Sequence, residues 1–409
     1  MWLFNKRWHA WAMNKIRSLL HAGPHSQALH VSYEKAGLIL HDSVIPWNAD
    51  AVLIEAALHL PNSARRKTDF TIRLPDRTPA QAESLRPEDG GERHRLFFRF
   101  APPDQTVDAE LFWRERRMGV MPLNMMTAAQ FVDGLRIEMP TIVARIGKQN
   151  VPCQTVVAAQ CRGWQACAVV ASRTGSLAPL VDLGVSVQFR SERDGTIHDS
   201  PVSLSGAQLQ GKQALISANP PKMPKRMGAW TATWRIGSRE FASARIKTIS
   251  RKAFQRSLRV SDTRFVTVDR KGKLAVRRQL PPVSELSRLG PCFLVSSREA
   301  GMAGLCTMQV HAQIPGGMQA PHLLEQELLV TDGPTMFAPG TVDVADLEQV
   351  TAFDLRLCET SLGVLPLSPV PAATFNSEGA FRPPPEFLWT NAADEELTER
   401  LNRLMGNRN

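Results

Sequence analysis

The chain has 409 residues, 43% of them hydrophobic and 22% charged, with a formal net charge of +10. That apolar fraction can fill real cores and excludes wholesale disorder, and 26 glycines with 29 prolines exclude collagen-like and low-complexity architectures. No uncharged apolar stretch approaches the ~20 residues that a membrane-spanning helix needs.

The first residues, MWLFNKRWHAWAMNKIRSLL, keep charges throughout and lack the apolar run of a secretory leader. Residues 2–21 read as an amphipathic helix. Phe4, Trp8, Trp11 and Leu19 fall on one side, interrupted by Lys15, with Lys6, Arg7, Asn14 and Arg17 elsewhere. A basic helix with three tryptophans suits a membrane surface or a protein surface, and docking on protein is the reading adopted here.

Beyond this helix the chain repeats itself. LFWRERRMGVMPLNMMTAAQF (Leu111 to Phe131), WRIGSREFASARIKTISRKAF (Trp234 to Phe254) and LRLCETSLGVLPLSPVPAATF (Leu355 to Phe375) align without gaps, at steps of 123 and 121 residues. The first and third share Gly119/Gly363, Val120/Val364, Pro122/Pro366, Leu123/Leu367 and Phe131/Phe375, while the second carries Arg245 where the others have proline. Leu135-Arg136-Ile137 and Leu258-Arg259-Val260 follow the first two copies, with a fainter counterpart at Leu29-His30-Val31. A period of this length means tandem modules.

Apolar and polar residues alternate from Trp230 to Ile236, which puts Trp230, Trp234 and Ile236 on one face of a strand. Gly237-Ser238-Arg239 then turns, and Glu240 to Ile249 returns. Phe353, Leu355 and Leu357 repeat the plan before a turn at Glu359-Thr360-Ser361. Val185 to Phe189, a turn at Glu192 to Gly195, and Gln213 to Ser217 add further short strands. Helical periodicity is convincing only at the chain ends.

The expected fold is therefore mainly β: three tandem immunoglobulin-like antiparallel β-sandwiches with short N- and C-terminal α-helices. The divisions are an N-terminal helix (1–26), sandwiches over 27–127, 128–250 and 251–375, and a proline-rich linker with a C-terminal helix (376–409). Bead-like modules would be cut by proteases near 128, 251 and 376. Antibody-type hallmarks are missing, since no Cys…Trp…Cys spacing occurs and Tyr33 is the only tyrosine.

The C-terminal helix follows Pro383-Pro384-Pro385. Asn391 caps it, Asp394, Glu395 and Glu396 fill its first turn, Leu397, Leu401 and Leu404 share a face, and Gly406 stops it. It suits partner docking or folding back on the third module equally.

Between Lys222 and Arg278 stand 17 Lys/Arg against Glu240, Asp262 and Asp269, whereas His322 to the end carries 14 acidic against 5 basic residues. Lys222, Lys225, Arg226, Arg245, Lys247, Arg251, Lys252, Arg256 and Arg259 form the candidate patch for an anionic partner. Phe241, Phe254 and Phe265 read as core residues, which argues against single-strand recognition by stacking.

Catalytic signals are poor. Gly206 to Lys212 has phosphate-loop spacing, but Gln213 replaces the hydroxyl residue and no helix has room to follow, so the segment reads as a turn. His198-Asp199-Ser200 reads as a loop, and His322, Glu325 and Glu327 as the start of a strand rather than a metal set. Neither a cofactor nor a metal is expected. The six cysteines (Cys153, Cys161, Cys167, Cys292, Cys306 and Cys358) lack zinc spacing and read as reduced core thiols, consistent with a cytoplasmic location. The leading functional expectation is a non-enzymatic scaffold with protein partners, copies of itself included. A nucleic-acid-binding accessory protein is the alternative, followed by an enzyme with an inter-domain site.

Overall fold

A computed structural model describes residues 25–60, 66–88, 93–220, 228–315 and 319–367. The terminal helices expected from sequence lie outside this set. The described chain is mainly β, with several antiparallel sheets.

In the first third, β1 (His25–Lys35), β2 (Leu38–Leu40), β4 (Ala51–His59), β7 (Ser84–Pro87) and β8 (Arg93–Phe100) form a sheet ordered β2-β1-β4-β8-β7. It faces a second sheet, β10-β9-β5-β6, built from β5 (Phe70–Arg73), β6 (Ala80–Gln81), β9 (Val107–Trp113) and β10 (Arg116–Leu123). Between them lies an apolar core that includes Tyr33, Ile54, Phe70, Phe98 and Leu111. Two short strands, β3 (Ile45–Pro46) and β11 (Met125–Met126), pair in parallel at its end.

The central pairings of this plan recur, with differences in the edge strands. Sheet β13-β12-β15-β18 comprises β12 (Leu135–Ile146), β13 (Gln149–Pro152), β15 (Cys161–Ser172) and β18 (Gln213–Ala218), while β14 (Thr155–Val157) belongs to the facing sheet. That facing sheet contains β16 (Val185–Ser191), β17 (Ile197–Val202), β19 (Gly228–Ile236) and β20 (Arg239–Ile249), ordered β17-β16-β19-β20. Further on, β21 (Leu258–Asp269), β22 (Leu274–Arg277), β23 (Leu286–Ser297) and β26 (Thr335–Phe337) give β22-β21-β23-β26, with β27 (Val342–Asp343) also on β23. Opposite stand β24 (Met302–Gln313), β25 (Gln319–Val330), β28 (Ala352–Leu357) and β29 (Thr360–Pro366), ordered β25-β24-β28-β29.

The three aligned segments form the same bulged hairpin: β9–β10, β19–β20 and β28–β29. Leu111, Trp234 and Leu355 are each fully buried, each in a different core. Each lies opposite the residue eight positions on, Gly119, Ala242 or Gly363, where the register slips. The turn residue three positions after each has a left-handed φ: Arg114 at 54°, Gly237 at 56° and Cys358 at 56°. Each turn is two residues long, so Arg239 and Thr360 already belong to strands rather than to turns.

The junctions between cores are helical. Thr127 caps α1 (Ala128–Gly134) through a reciprocal bond with Gln130, and Phe131 is fully buried. The short helices α2 (Leu180–Leu183) and α3 (Gly206–Gln210) follow within the second unit. Ser250 then caps α4 (Arg251–Ser257), whose Phe254 is fully buried. Residues 128 and 251, the expected boundaries, are the first residues of α1 and α4, each helix anchored by a buried phenylalanine. Short capped helices of five to seven residues carry too few apolar positions to register as helical periodicity, so the sequence expectation of helices only at the ends fails.

The second and third units share one sheet. Strand β14 pairs in parallel with β20 on one side and β24 on the other, joining both halves into a nine-stranded sheet. Val156 and Ala303 face the second core, whereas Val157 and Met302 face the third. The Gln160 side chain completes the seam, donating to the Leu305 carbonyl at 2.6 Å and accepting from its amide at 2.8 Å.

The odd residue in the repeat, Arg245, lies just before the same seam. Pro122 and Pro366 lie on β10 and β29, both edge strands, while β20 is flanked on both sides. The Lys247 amide points outward to Gln154 at 2.7 Å, so the position two residues earlier also points outward. Proline withholds that N–H on the exposed edges; Arg245 sits two residues before Lys247, where the pairing of β20 with β14 begins.

The first and second units meet through a polar latch. Asp42 accepts from Tyr33 Oη at 2.8 Å and from the Ser176 amide at 2.9 Å. The nearly buried Lys35 ammonium donates to Asp182 at 2.7 Å and Asp50 at 3.3 Å, and Asn48 donates to Asp182 at 2.8 Å. The bond from Lys35 holds the Asp182 carboxyl below its ordinary pKa. A lowered folded-state pKa contributes stability above the unfolded value, so the latch holds at neutral pH and weakens as pH falls through the low carboxylate range. Asp182→Asn should destabilise the first unit by about 1 kcal/mol and flatten that acid dependence, as read by thermal melts across pH.

Candidate anionic-partner interface

The basic stretch is distributed over three surfaces, because the chain changes sheet between β20 and β21. Arg245 and Lys247 alternate with buried Ile246 and Thr248, so both project from the outer face of β20. Arg251, Lys252 and Arg256 are exposed on α4, whose other side buries Phe254 and Ser257. Arg259 opens the outer face of β21, where its Nε donates to Ser296 Oγ at 3.4 Å. Lys222, Lys225 and Arg226 lie outside the described residues, as do Phe4, Trp8, Trp11, Leu19, Leu397, Leu401 and Leu404.

Arg245 is already engaged. Its Nε and Nη2 each bond a different oxygen of Glu192 at 2.6 Å, a bidentate pair that lowers the Glu192 pKa. Linear reading assigned Glu192 only to a turn. Strand register also brings Arg190 into the row, since Arg190 and Arg245 both pair with Thr231 from opposite sides. The alternation from Val185 to Arg190 carried that signal. The exposed cations of α4 thus form the least encumbered part of the surface. Phe254 and Phe265 are buried and Phe241 is half-buried beneath Arg239, 5.3 Å from its ring centroid, so none of the three offers a stacking platform.

The other motifs resolve into structure. Gly206 to Gln210 is α3, capped by a reciprocal Ser205–Gln208 pair, where a turn was expected. His198-Asp199-Ser200 lies in β17, not a loop, with His198 stacked 6.3 Å from Trp230 and Asp199 bonded to Gln188. Gly195 had suggested a loop, but the turn ends before Ile197. His322, Glu325 and Glu327 lie in β25. Among the described residues no group of three or more His, Cys, Asp or Glu is placed to hold a metal.

All six cysteines are free thiols. Cys153, Cys292 and Cys306 are pushed up to about 12 by burial. Cys358 departs from the expected core location: it occupies the hairpin turn and is exposed, and Cys167 is half-buried.

No family model matches the chain, and no curated protein matches it. Among solved structures, domains 4 and 5 of the S-layer protein SbsC match with 14% identity and a TM-score of 0.27, covering 55% of this chain and 100% of that one. Domains 1–6 of SbsC match with 11% identity and a TM-score of 0.27 over 83% of this chain, which spans only 38% of that structure. A tandem from titin matches with 9% identity and a TM-score of 0.21, covering 71% of this chain and 90% of that one. At such scores the architecture stands on the chain's own strand pairing.

Proposed function

We propose that this chain is a non-enzymatic scaffold of three immunoglobulin-like sandwiches, divided near 128 and 251, that serves a multiprotein assembly from a cytoplasmic location. The carrying observation is the recurrence of one bulged hairpin and of the same central strand pairings around three cores, with the second and third fused through β14. A seam buried on both sides makes that pair a stiff body, suited to holding partners at a fixed spacing. The terminal helices, with Phe4, Trp8 and Trp11 at one end and Leu397, Leu401 and Leu404 at the other, are the proposed docking elements.

Affinity purification of the full chain, with and without nuclease, tests this reading. A defined set of proteins should be retained in both cases. Loss of all partners on nuclease treatment would instead favour nucleic-acid binding, which the exposed α4 cations motivate. On that second reading, Arg251→Glu with Lys252→Glu should weaken duplex binding about tenfold or more and reduce its salt slope. Binding insensitive to salt in a titration would remove it.

A further inference from the structure

The shared nine-stranded sheet carries its two sandwiches on opposite sides. Thr155 pairs with both Lys247 and Met302, and Met302 faces the third core, so Lys247 stands on the third-core side of the sheet. Ala303, Leu305 and Leu329 lie on the other side, against the second core. Thr307 and Gln309 continue that side along β24. Each half of the sheet therefore leaves one face without a sandwich over it, and the two open faces point in opposite directions. The neighbouring sandwich walls each of them. A Cβ on Gly147, in the β12–β13 turn, would lie 3.1 Å from Cδ1 of Leu305 at the edge of the third unit's open face.

The two open faces differ in sign. On the second unit's half, Arg190 and Lys247 are exposed and meet no carboxylate among the described residues, while Arg245 is held by Glu192. Asp199 and Glu240 share this half, nearer the β19–β20 turn. α4 stands on the same side, since its Phe254 packs beside Val157 and Gly304, and it adds exposed Arg251, Lys252 and Arg256. On the third unit's half, Glu325 and Glu327 are exposed on β25, opposite Gln309 and Thr307. Gln309 donates to Glu325 at 2.8 Å, and His311 and His322 stand alongside. The cation of this half, Arg356, is held by Asp354 at 2.7 Å.

Opposite charge on opposite sides of one sheet cannot meet within a molecule, but it can meet in another copy. Each open half is four strands wide. With ~4.8 Å between strands of ~20 Å, it offers roughly 400 Å² per partner. A contact of that size is weak and transient, and one held by exposed charges is screened by salt.

We propose that the outer face of β25-β24 in one copy docks on the outer face of β16-β19-β20 in a second copy, setting Glu325 and Glu327 against Arg190 and Lys247. The contact joins unlike faces that point in opposite directions, so it is heterologous and propagates from copy to copy. It rests on the scaffold reading and names one partner for it, a second copy of this chain.

Sedimentation velocity of the nuclease-treated full chain reads the contact. At about 0.1 M salt, species larger than a monomer should grow with concentration up to about 100 μM, and about 1 M salt should weaken the association about tenfold or more. Glu325→Lys with Glu327→Lys, and separately Arg190→Glu with Lys247→Glu, should each stay monomeric, because like charge then meets like. Mixing the two variants pairs every face with one of opposite sign and should restore the larger species. All four positions are exposed, and an unchanged thermal melt shows that each variant is folded. The salt response of the wild-type chain needs neither variant. A monomer at every concentration, association lost on nuclease treatment, association unmoved by salt, or a mixture that stays monomeric would each overturn the proposal. A monomeric chain that still retains other proteins in affinity purification would overturn self-docking alone and leave the scaffold reading standing.

Discussion

Gly304→Val should destabilise the chain by about 3 kcal/mol or more and melt the second and third sandwiches in a single transition. A side chain at Gly304 has nowhere to go: its Cβ would lie 2.8 Å from both Cε1 and Cζ of Phe254 and 3.0 Å from Cγ2 of Val157. Phe254 is fully buried in the third core and Val157 is 1% exposed, so neither can swing into solvent. Relief requires shifting α4 or β14. Moving β14 costs twice, because Val156 fills the second core while Val157 fills the third. Strand β24 is bound in the same way, with Ala303 in one core and Met302 in the other. Calorimetry together with hydrogen exchange on β16 to β20 and β24 to β28 would measure the outcome. If the third sandwich unfolds alone while the second keeps its melting temperature, the shared sheet does not couple them.

That coupling was hidden from the sequence, though much else was legible. The hairpins could be read because two-residue periodicity and turn residues are local, and Trp230 to Ile236 alternates as its burial requires. The repeat could be read because Leu111, Trp234 and Leu355 face the same packing demand in three cores. The seam was hidden because Thr155-Val156-Val157 is only three residues long, and its second partner, β24, begins 145 residues later. One trace of it did appear: Met302-Ala303-Gly304 is buried at every position without alternating, as a strand covered on both faces must be. The candidate surface suffered similarly, since charge counts add residues that strand alternation and a change of sheet send in different directions. Glu192, which neutralises Arg245, lies 53 residues away in sequence.

Trp234 makes the second large effect separable into two causes. It is 0% exposed within the second core, while its equivalents Leu111 and Leu355 are smaller and wholly apolar. Trp234→Ala should cost about 3–5 kcal/mol, because a large buried ring leaves a cavity that two rigid sheets cannot close. Its indole N–H, however, has no hydrogen-bond partner among the described residues. A buried donor without a partner carries a penalty of about 1–3 kcal/mol in the native state. Trp234→Phe removes that donor and keeps most of the ring, so the two effects oppose each other and the net loss should stay under about 1.5 kcal/mol. Leu111→Ala and Leu355→Ala, with no polar atom to release, should each cost about 2–5 kcal/mol. Denaturant titrations of the four variants would rank them. A Trp234→Phe loss as large as that of Trp234→Ala would mean that the indole N–H is satisfied and that shape alone holds this position.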